Sequence, residues 1–117
     1  VPAQTAGAGC PLARNPVLLG SSRAEEFSPV KNPTGVDSVE TARRDLIRRA
    51  ARWLEAAGIP VPRGGDGEPS ACCEISPLAA LDAAELAARA GAGGDLKLRP
   101  PRAGEAYYVA GPEGAGV

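Results

Sequence analysis

The clearest pattern in the chain is an amphipathic stretch from Val39 to Ala57 that contains neither glycine nor proline. Its apolar residues recur at the spacing of one face of an α-helix, and we interpret Trp53 as a core residue of that face. We expect Asp37 to be the N-cap, with Glu40 at the third helical position, and Gly58 to end the helix. The apolar face consists of Ala42, Leu46, Ile47, Ala50, Trp53, Leu54 and Ala57.

The remaining apolar positions predict a second helix and several short strands. Ser76 and Pro77 are expected to be the N-cap and first residue of a helix that ends at Gly91, because alanine, leucine and glutamate dominate this stretch. Residues 71–75 are predicted to form a strand with Cys73 and Ile75 on one face. Three further segments are candidate strands: Val17–Leu19, Leu96–Arg99 and Ala106–Val109.

Proline and glycine divide the rest of the chain into loops. Pro29 and Pro33 force the residues before them toward extended geometry, so the segment from Arg23 to Asn32 is predicted to be an extended loop rather than a helix. Residues 63–69, which are rich in glycine, are predicted to form a flexible turn.

The composition indicates a thin core and irregular ends. Apolar residues make up 44% of the chain but aromatic residues only 3%, and the chain also contains 15 glycines and 12 prolines. A chain that relies on alanine buries little apolar area per residue. We therefore expect residues 1–16 to be disordered or an artefact of gene prediction, and residues 111–117 to be a disordered tail. Because the chain begins without methionine, we expect it to be a fragment of a longer protein.

Charge and residue usage argue against several classes of function. The net charge of −1 provides no overall field for nucleic acid, and without histidine there is no Ser-His-Asp triad. Three cysteines that lack a C-x-x-C spacing support neither a disulfide framework nor a zinc site, and they suit a reducing, cytoplasmic compartment. No apolar run is long enough for a membrane span.

Several arginines on the predicted long helix invite a nucleic-acid interpretation. However, Glu40 and Asp45 lie four residues before Arg44 and Arg49, which is the favourable order for ion pairs along a helix. We interpret the cluster as a solvated helix face. Its members are Arg43, Arg44, Arg48, Arg49 and Arg52.

Two motifs carry most of the functional information. The first is Glu26-Phe27-Ser28-Pro29-Val30-Lys31-Asn32, and the second is Cys73-Glu74-Ile75-Ser76-Pro77-Leu78. With the arginine-rich helix between them, they resemble the C-terminal part of the eukaryotic-type UDP-N-acetylhexosamine pyrophosphorylases. The resemblance implies an α/β fold. Residues 17–36 would form the edge of a Rossmann-like nucleotidyltransferase domain, and residues 37–110 a small α+β C-terminal domain.

The resemblance also assigns a role to Lys31. In the family this lysine contacts the phosphates of the nucleotide sugar, and an ammonium group with three donors on a long stem suits that task. Phe27 is expected to be a buried anchor against the catalytic domain, whereas Ser28 and Asn32 are expected to bond the loop's own backbone. Arg23 and Glu26 are either paired across the loop or solvated. The predicted supporting residues are Glu26, Phe27, Ser28, Pro29 and Asn32.

The implied parent reaction converts UTP and N-acetylglucosamine 1-phosphate into UDP-N-acetylglucosamine and pyrophosphate, with Mg²⁺ neutralising the leaving group. The Mg²⁺ ligands and the family's glycine-rich UTP loop are not recognisable in this chain, so no catalytic or metal-binding residue is assigned and the isolated chain is expected to be inactive. Helix formers at residues 80–86 replace a polar, glycine-containing stretch of the family. Two alternatives remain open: a non-catalytic structural or interaction domain, and a fragment of a UDP-sugar or UDP-glucose pyrophosphorylase.

Overall fold

The computed structural model describes residues 13–112 and the backbone of residues 114 and 115. In chain order, the elements of this range are α1 (Arg23–Glu26), α2 (Val39–Ala56), β1 (Cys72–Ile75), α3 (Ala83–Ala90), β2 (Ala106–Gly111) and β3 (Gly114–Ala115). β2 lies in the middle of the sheet, parallel to β1 and antiparallel to β3. This small mixed arrangement, with helices against an open sheet, is compatible with the predicted α/β class.

The long helix α2 is confirmed, but it starts one residue later than predicted. Asp37 has a φ of 52°, in the left-handed region, whereas an N-cap residue is extended. Ser38 has that extended backbone and is the N-cap, since its hydroxyl accepts the Thr41 N–H at 3.3 Å. Thr41 completes the capping box by accepting the Ser38 N–H at 2.9 Å, so Thr41 takes the part expected of Glu40.

The C-terminal end of α2 follows the prediction. Gly58 has a φ of 81°, and its N–H donates to the Glu55 carbonyl at 3.0 Å. The next N–H, from Ile59, reaches back to the Leu54 carbonyl at 2.9 Å. These two bonds form a Schellman motif, which satisfies carbonyls that the end of the helix would otherwise leave free.

The core lies between α2, α3 and the sheet. Leu54 of α2, Leu86 of α3 and Val109 of β2 are all completely inaccessible to solvent, and Trp53 is buried as predicted. Burial of one such aliphatic side chain stabilises the fold by roughly 1.5–3 kcal/mol. The core is nevertheless thin, because many of the other buried side chains are small. These small residues are Ala50, Ala51, Ala71, Cys73, Ala79 and Ala80.

The strand predictions succeed at β1 and β2 but not at residues 96–99. β2 alternates exposed and buried side chains along its whole length, and in β1 Cys73 is buried and Ile75 is half-buried. Residues 96–99 keep the expected alternation, with Leu96 buried, yet they form no strand. Their backbone is used differently: the Leu96 N–H donates to the Arg89 carbonyl, and the Arg99 carbonyl accepts the Tyr107 hydroxyl at 2.7 Å.

The second helix, α3, begins six residues later than predicted, with Asp82 rather than Ser76 as its N-cap. The Asp82 carboxylate accepts the Glu85 N–H at 2.7 Å. Ser76 instead closes a tight turn by accepting the Leu78 N–H at 3.1 Å. The Arg89 guanidinium donates to the carbonyls of residues 78 and 79, which lie in the turn before the helix. The predicted end at Gly91 is confirmed.

Two predictions near the N-terminus were wrong. Val17–Leu19 forms no strand and is largely exposed. Residues 23–26 form the single helical turn α1 instead of extended chain, because proline restricts only the residue directly before it and the first proline of the loop is Pro29. The loop character holds from Phe27 to Asn32.

The expected disorder at the chain ends lies mostly beyond the described residues. Residues 1–12 fall outside the described range, and residues 13–16 carry neither helix nor strand. At the other end, the predicted tail starts inside β2, and Gly114–Ala115 form β3. Because Gly114 and Ala115 pair with β2, the prediction of a disordered tail is wrong for these two residues.

Candidate phosphate-binding loop

The loop that carries the first motif runs along α2 from its C-terminal half toward its N-terminal end. Three sets of contacts fasten it. Glu25 meets the C-terminal half of α2, and Ser28 meets Asp45 nearer the start of the helix. The backbone N–H groups of Lys31 and Asn32 both donate to the carbonyl of residue 37, at 2.6 and 2.9 Å. The loop thus contacts progressively earlier parts of the helix as it proceeds.

Glu25 lies in α1, one residue before the motif, and its carboxylate accepts three hydrogen bonds from α2. The donors are Trp53 Nε1 at 3.0 Å and Arg52, which uses Nε at 3.1 Å and Nη2 at 2.7 Å. The bonds from Trp53 and Arg52 lower the pKa of the Glu25 carboxyl. Arg49 Nε is buried without a hydrogen-bond partner among the described residues and lies 3.6 Å from Glu25.

Sequence reasoning does not find Glu25, because its partners lie 27 and 28 residues away along the chain. One signal was available. Trp53 was predicted to be a core residue, and a buried indole N–H needs an acceptor. An acceptor elsewhere in the chain was therefore expected, although periodicity indicates neither its residue type nor its position.

Ser28 bonds to α2 rather than to the backbone of its own loop, which corrects the prediction. Its hydroxyl donates to Asp45 Oδ2 at 2.7 Å. Asp45 also accepts from Arg48 at 3.4 Å, and Arg48 Nε donates to Glu68 Oε2 at 2.8 Å. These successive hydrogen bonds connect the first motif to the turn at residues 63–69 by way of Asp45 and Arg48 of α2. Asn32 does bond locally, since its amide donates to the Val36 carbonyl at 2.8 Å.

Lys31 has an exposed side chain that makes no hydrogen bond or ion pair with the described residues. Its backbone is nevertheless fixed, because its N–H donates to the residue before the Ser38 cap. Lys31 therefore lies at the surface beside the N-terminal end of α2, a helix of 18 residues. This is the end at which the helix dipole favours negative charge.

Phe27 and the other supporting residues lie at the surface of this structure. Phe27 is 47% exposed, so it is not buried here, and the Arg23 guanidinium lies over its ring at 4.3 Å. Arg23 and Glu26 do not form an ion pair among the described residues, since Arg23 is stacked on Phe27 instead. Pro29 is half-buried and Glu26 is exposed. The role of these residues in supporting the loop stays a prediction.

Three arginines of α2 bind acids from other elements, although Arg44 and Arg48 also lie near Asp45 of the same helix. Arg48 pairs with Glu68, and Arg52 pairs with Glu25. The expected pairs between Glu40 and Arg44 and between Asp45 and Arg49 are not formed in the described part of the chain. Glu68 offers its two carboxylate oxygens to the Arg48 guanidinium. One oxygen of Glu25 accepts two N–H groups of Arg52. Two charge-assisted hydrogen bonds to one guanidinium are stronger than a single ion pair along the helix surface. Arg48, Arg49 and Arg52 therefore fasten other segments to the helix. Arg43 and Arg44 are exposed, as predicted for a solvated face.

Two cavities border α2, and Lys31 lines neither. A cavity of about 230 Å³ lies between the loop and the helix, with Glu25, Phe27, Ser28 and Asp45 in its wall. A larger one of about 460 Å³ lies between α2 and β1, where Leu46 of the helix and Ile75 of the second motif line it. The candidate phosphate contact is therefore on an open surface and not in a closed pocket.

The described residues contain no group of three or more histidine, cysteine, aspartate or glutamate side chains arranged to hold a metal ion. No Mg²⁺ ligands are therefore assigned among these residues, and the Mg²⁺ of the implied reaction stays a prediction. None of the helices in the described ranges has the length and apolarity to cross a membrane. Cys72 and Cys73 are both free thiols, and Cys10 lies outside the described residues.

Comparison with curated proteins identifies the class to which this segment is related. The names of relatives from Homo sapiens and Dictyostelium discoideum both refer to pyrophosphorylases of UDP-N-acetyl sugars. The human relative is UDP-N-acetylhexosamine pyrophosphorylase-like protein 1, which is 42% identical over 57% of this chain and 16% of its own length. The Dictyostelium relative is a probable UDP-N-acetylglucosamine pyrophosphorylase, which is 35% identical over 65% of this chain and 15% of its own length.

These matches confirm the resemblance at the level of the sequence: the matched part of the chain is homologous to segments of curated proteins with these two names. A further relative, from Xenopus tropicalis, has the same name as the human protein and is 40% identical over 57% of this chain. The chain spans about a sixth of the length of these relatives. No family model matches the chain, and no solved structure matches it.

Proposed function

We propose that this chain is part of a uridylyltransferase that makes UDP-N-acetylglucosamine and pyrophosphate from UTP and N-acetylglucosamine 1-phosphate, and that Lys31 contacts the diphosphate of the nucleotide sugar. One observation carries the proposal. Lys31 is an exposed cation on a loop whose backbone is fastened to a helix on either side of it. A fixed backbone with a free ammonium group is what a positioned phosphate contact requires.

The electrostatics of the loop support this role. Negative charge increases on the phosphates during nucleotidyl transfer. Cations that are already held in position stabilise this charge, because they need not rearrange during the reaction. The ammonium group of Lys31 is not neutralised by an acid among the described residues, whereas several arginines of the neighbouring helix are. The N-terminal end of α2 adds a smaller favourable contribution in the same region.

The rest of the proposal concerns polypeptide beyond this chain. Residues 17–36 would end a Rossmann-like nucleotidyltransferase domain, and the rest of that domain would provide the UTP-binding loop and the Mg²⁺ ligands. Mg²⁺, when bound there, would neutralise the pyrophosphate leaving group. The isolated chain would be inactive, and the complete protein would work in the cytoplasm.

A non-catalytic domain that retains the motifs for packing is the second candidate. The second motif favours it, because Ser76 closes a turn and Cys73 lies in the core. Residues 80–86, which differ from the polar, glycine-containing stretch of the family, also favour the structural candidate, since they form the Asp82 cap and the start of α3. A UDP-sugar or UDP-glucose pyrophosphorylase is a third candidate, which the names of the relatives do not favour.

Replacement of Lys31 in an active chimera separates these candidates. In the Dictyostelium pyrophosphorylase, the segment that matches this chain is replaced by residues 23–110, and formation of UDP-N-acetylglucosamine is measured. We expect Lys31→Ala to lower turnover about a hundredfold, the size of effect seen when one positioned charge contact is removed. The matched control is Lys97→Ala, the other lysine of the chain, which is exposed and distant from the loop in sequence. Equal activity of the two variants would favour the structural candidate.

A further inference from the structure

We infer that Glu25 is a positioning residue: it holds the Lys31 loop against α2, and it affects phosphate binding only through that loop. The inference rests on the proposed function for the role of Lys31. It goes beyond that proposal because Glu25 lies outside both motifs and touches no ligand site itself.

Apolar burial does not hold this loop. None of the residues of α1 is buried, Phe27 is 47% exposed and Val30 is 57% exposed. A cavity of about 230 Å³ also separates part of the loop from α2. Because the hydrophobic effect contributes so little here, attachment depends on polar contacts between loop and helix.

Glu25 makes more of these contacts than any other side chain of the loop. Its two carboxylate oxygens take the Trp53 indole N–H and two guanidinium N–H groups of Arg52. Arg52 Nη2 also donates to the Ala24 carbonyl at 3.0 Å, so the same guanidinium binds the backbone of α1. A helical turn of four residues is not stable alone, and α1 therefore depends on this clamp.

The contacts between the loop and α2 together limit where Lys31 emerges. An extended chain rises about 3.3 Å per residue, so the three steps from Ser28 to Lys31 cover about 10 Å. An α-helix rises about 1.5 Å per residue, so the seven steps from Asp45 back to Ser38 cover nearly the same distance. The loop therefore has little slack between its contacts with α2. If its Glu25 end is released, the segment that leads into Lys31 gains freedom.

Hydrogen exchange on the 117-residue chain tests the clamp directly. We expect Glu25→Ala to raise the exchange rates of the Phe27, Lys31 and Asn32 amides at least about tenfold, while the Leu54 amide in the core keeps its protection. Trp53 is the single tryptophan, so its emission should shift to the red as the clamp opens. The control is Glu74→Ala, which removes an exposed carboxylate without hydrogen bonds in the described range. Loop exchange that matches this control would overturn the inference.

A double-mutant cycle in the chimera tests whether Glu25 acts through Lys31. Glu25→Ala alone should lower turnover about tenfold, because misplacement of a contact group by about 1 Å is costly. In the Lys31→Ala background the same change should have less than about a twofold effect, because its target is already absent. An equal loss in both backgrounds would refute the positioning role. A chimera that is inactive with the unaltered segment would refute the proposed function, and the exchange result would still decide on the clamp.

Discussion

Neighbouring residues of β1 have opposite environments, as the two adjacent cysteines illustrate. Cys73 points into the core and is 2% exposed, whereas Cys72 is half-buried on the other face, with Arg43 Nη2 3.7 Å from its sulfur. Burial, followed by the charge of Cys72, raises the pKa of the Cys73 thiol to about 11. A strand that alternates its faces therefore turns two identical side chains into one protected and one accessible thiol.

Alkylation should distinguish the two thiols. We expect iodoacetamide at pH 8 to modify Cys72 well before Cys73, because the thiolate is the nucleophile and Cys73 is neutral and covered at that pH. Tandem mass spectrometry of the labelled peptide identifies the modified residue, and the peptide of Cys10 is separate. Cys72→Ser serves as the control and should remove the fast phase. Equal rates at both positions would contradict the described core.

The helices show how far local signals predict an element. The end of α2 at Gly58 was predictable, because a glycine in the left-handed conformation follows directly from the residue type. The start of α3 was not, because Ser76 and Asp82 both carry N-cap chemistry in sequence. The choice between them involves Arg89, which takes carbonyls 10 and 11 residues earlier. The attachment of Glu25 to α2 is likewise tertiary, so periodicity predicts the helix but not what it binds.

The cap of α2 can be tested by mutation. Ser38→Ala should lower the free energy of unfolding by about 0.5–2 kcal/mol, because the hydroxyl bonds that cap the helix are lost. Urea unfolding followed by circular dichroism measures the change. Ser22→Ala is the matched control, since Ser22 precedes α1 but makes no side-chain cap bond, and its effect should stay within about 0.5 kcal/mol. Equal losses would mean that the Ser38 hydroxyl is not the cap.

Across the whole molecule, bonds between arginines and acids join elements that the thin core does not reach. Glu25 fastens α1, Glu68 fastens the turn at residues 63–69, and Glu105 binds Arg99 in front of β2. Each of these acids has its pKa lowered, first by a side-chain hydrogen bond: from Trp53 to Glu25, from Arg48 to Glu68 and from Arg99 to Glu105. Folding therefore favours their ionised forms.

Stability should consequently fall in acid. The unfolded chain binds these protons at its ordinary carboxyl pKa values, so the stabilisation is complete above about pH 4.5 and is lost as the pH falls through the lowered values. The pKa of Glu105 is lowered to about 2, so the loss should continue to that pH. We expect a lower urea midpoint at pH 3 than at pH 7. Glu105→Gln should show a smaller decrease, and a midpoint independent of pH would contradict the role of these pairs.

The parallel pairing of β1 with β2 has a consequence for the order of synthesis. Cys72 of β1 lies opposite Ala106 of β2, and α3 occupies part of the intervening chain. At roughly 5–20 residues per second, a ribosome needs a few seconds to translate that stretch. During this interval β1 has been made but has no strand to pair with, so nascent chains of this protein would be most vulnerable to association with one another just before β2 emerges.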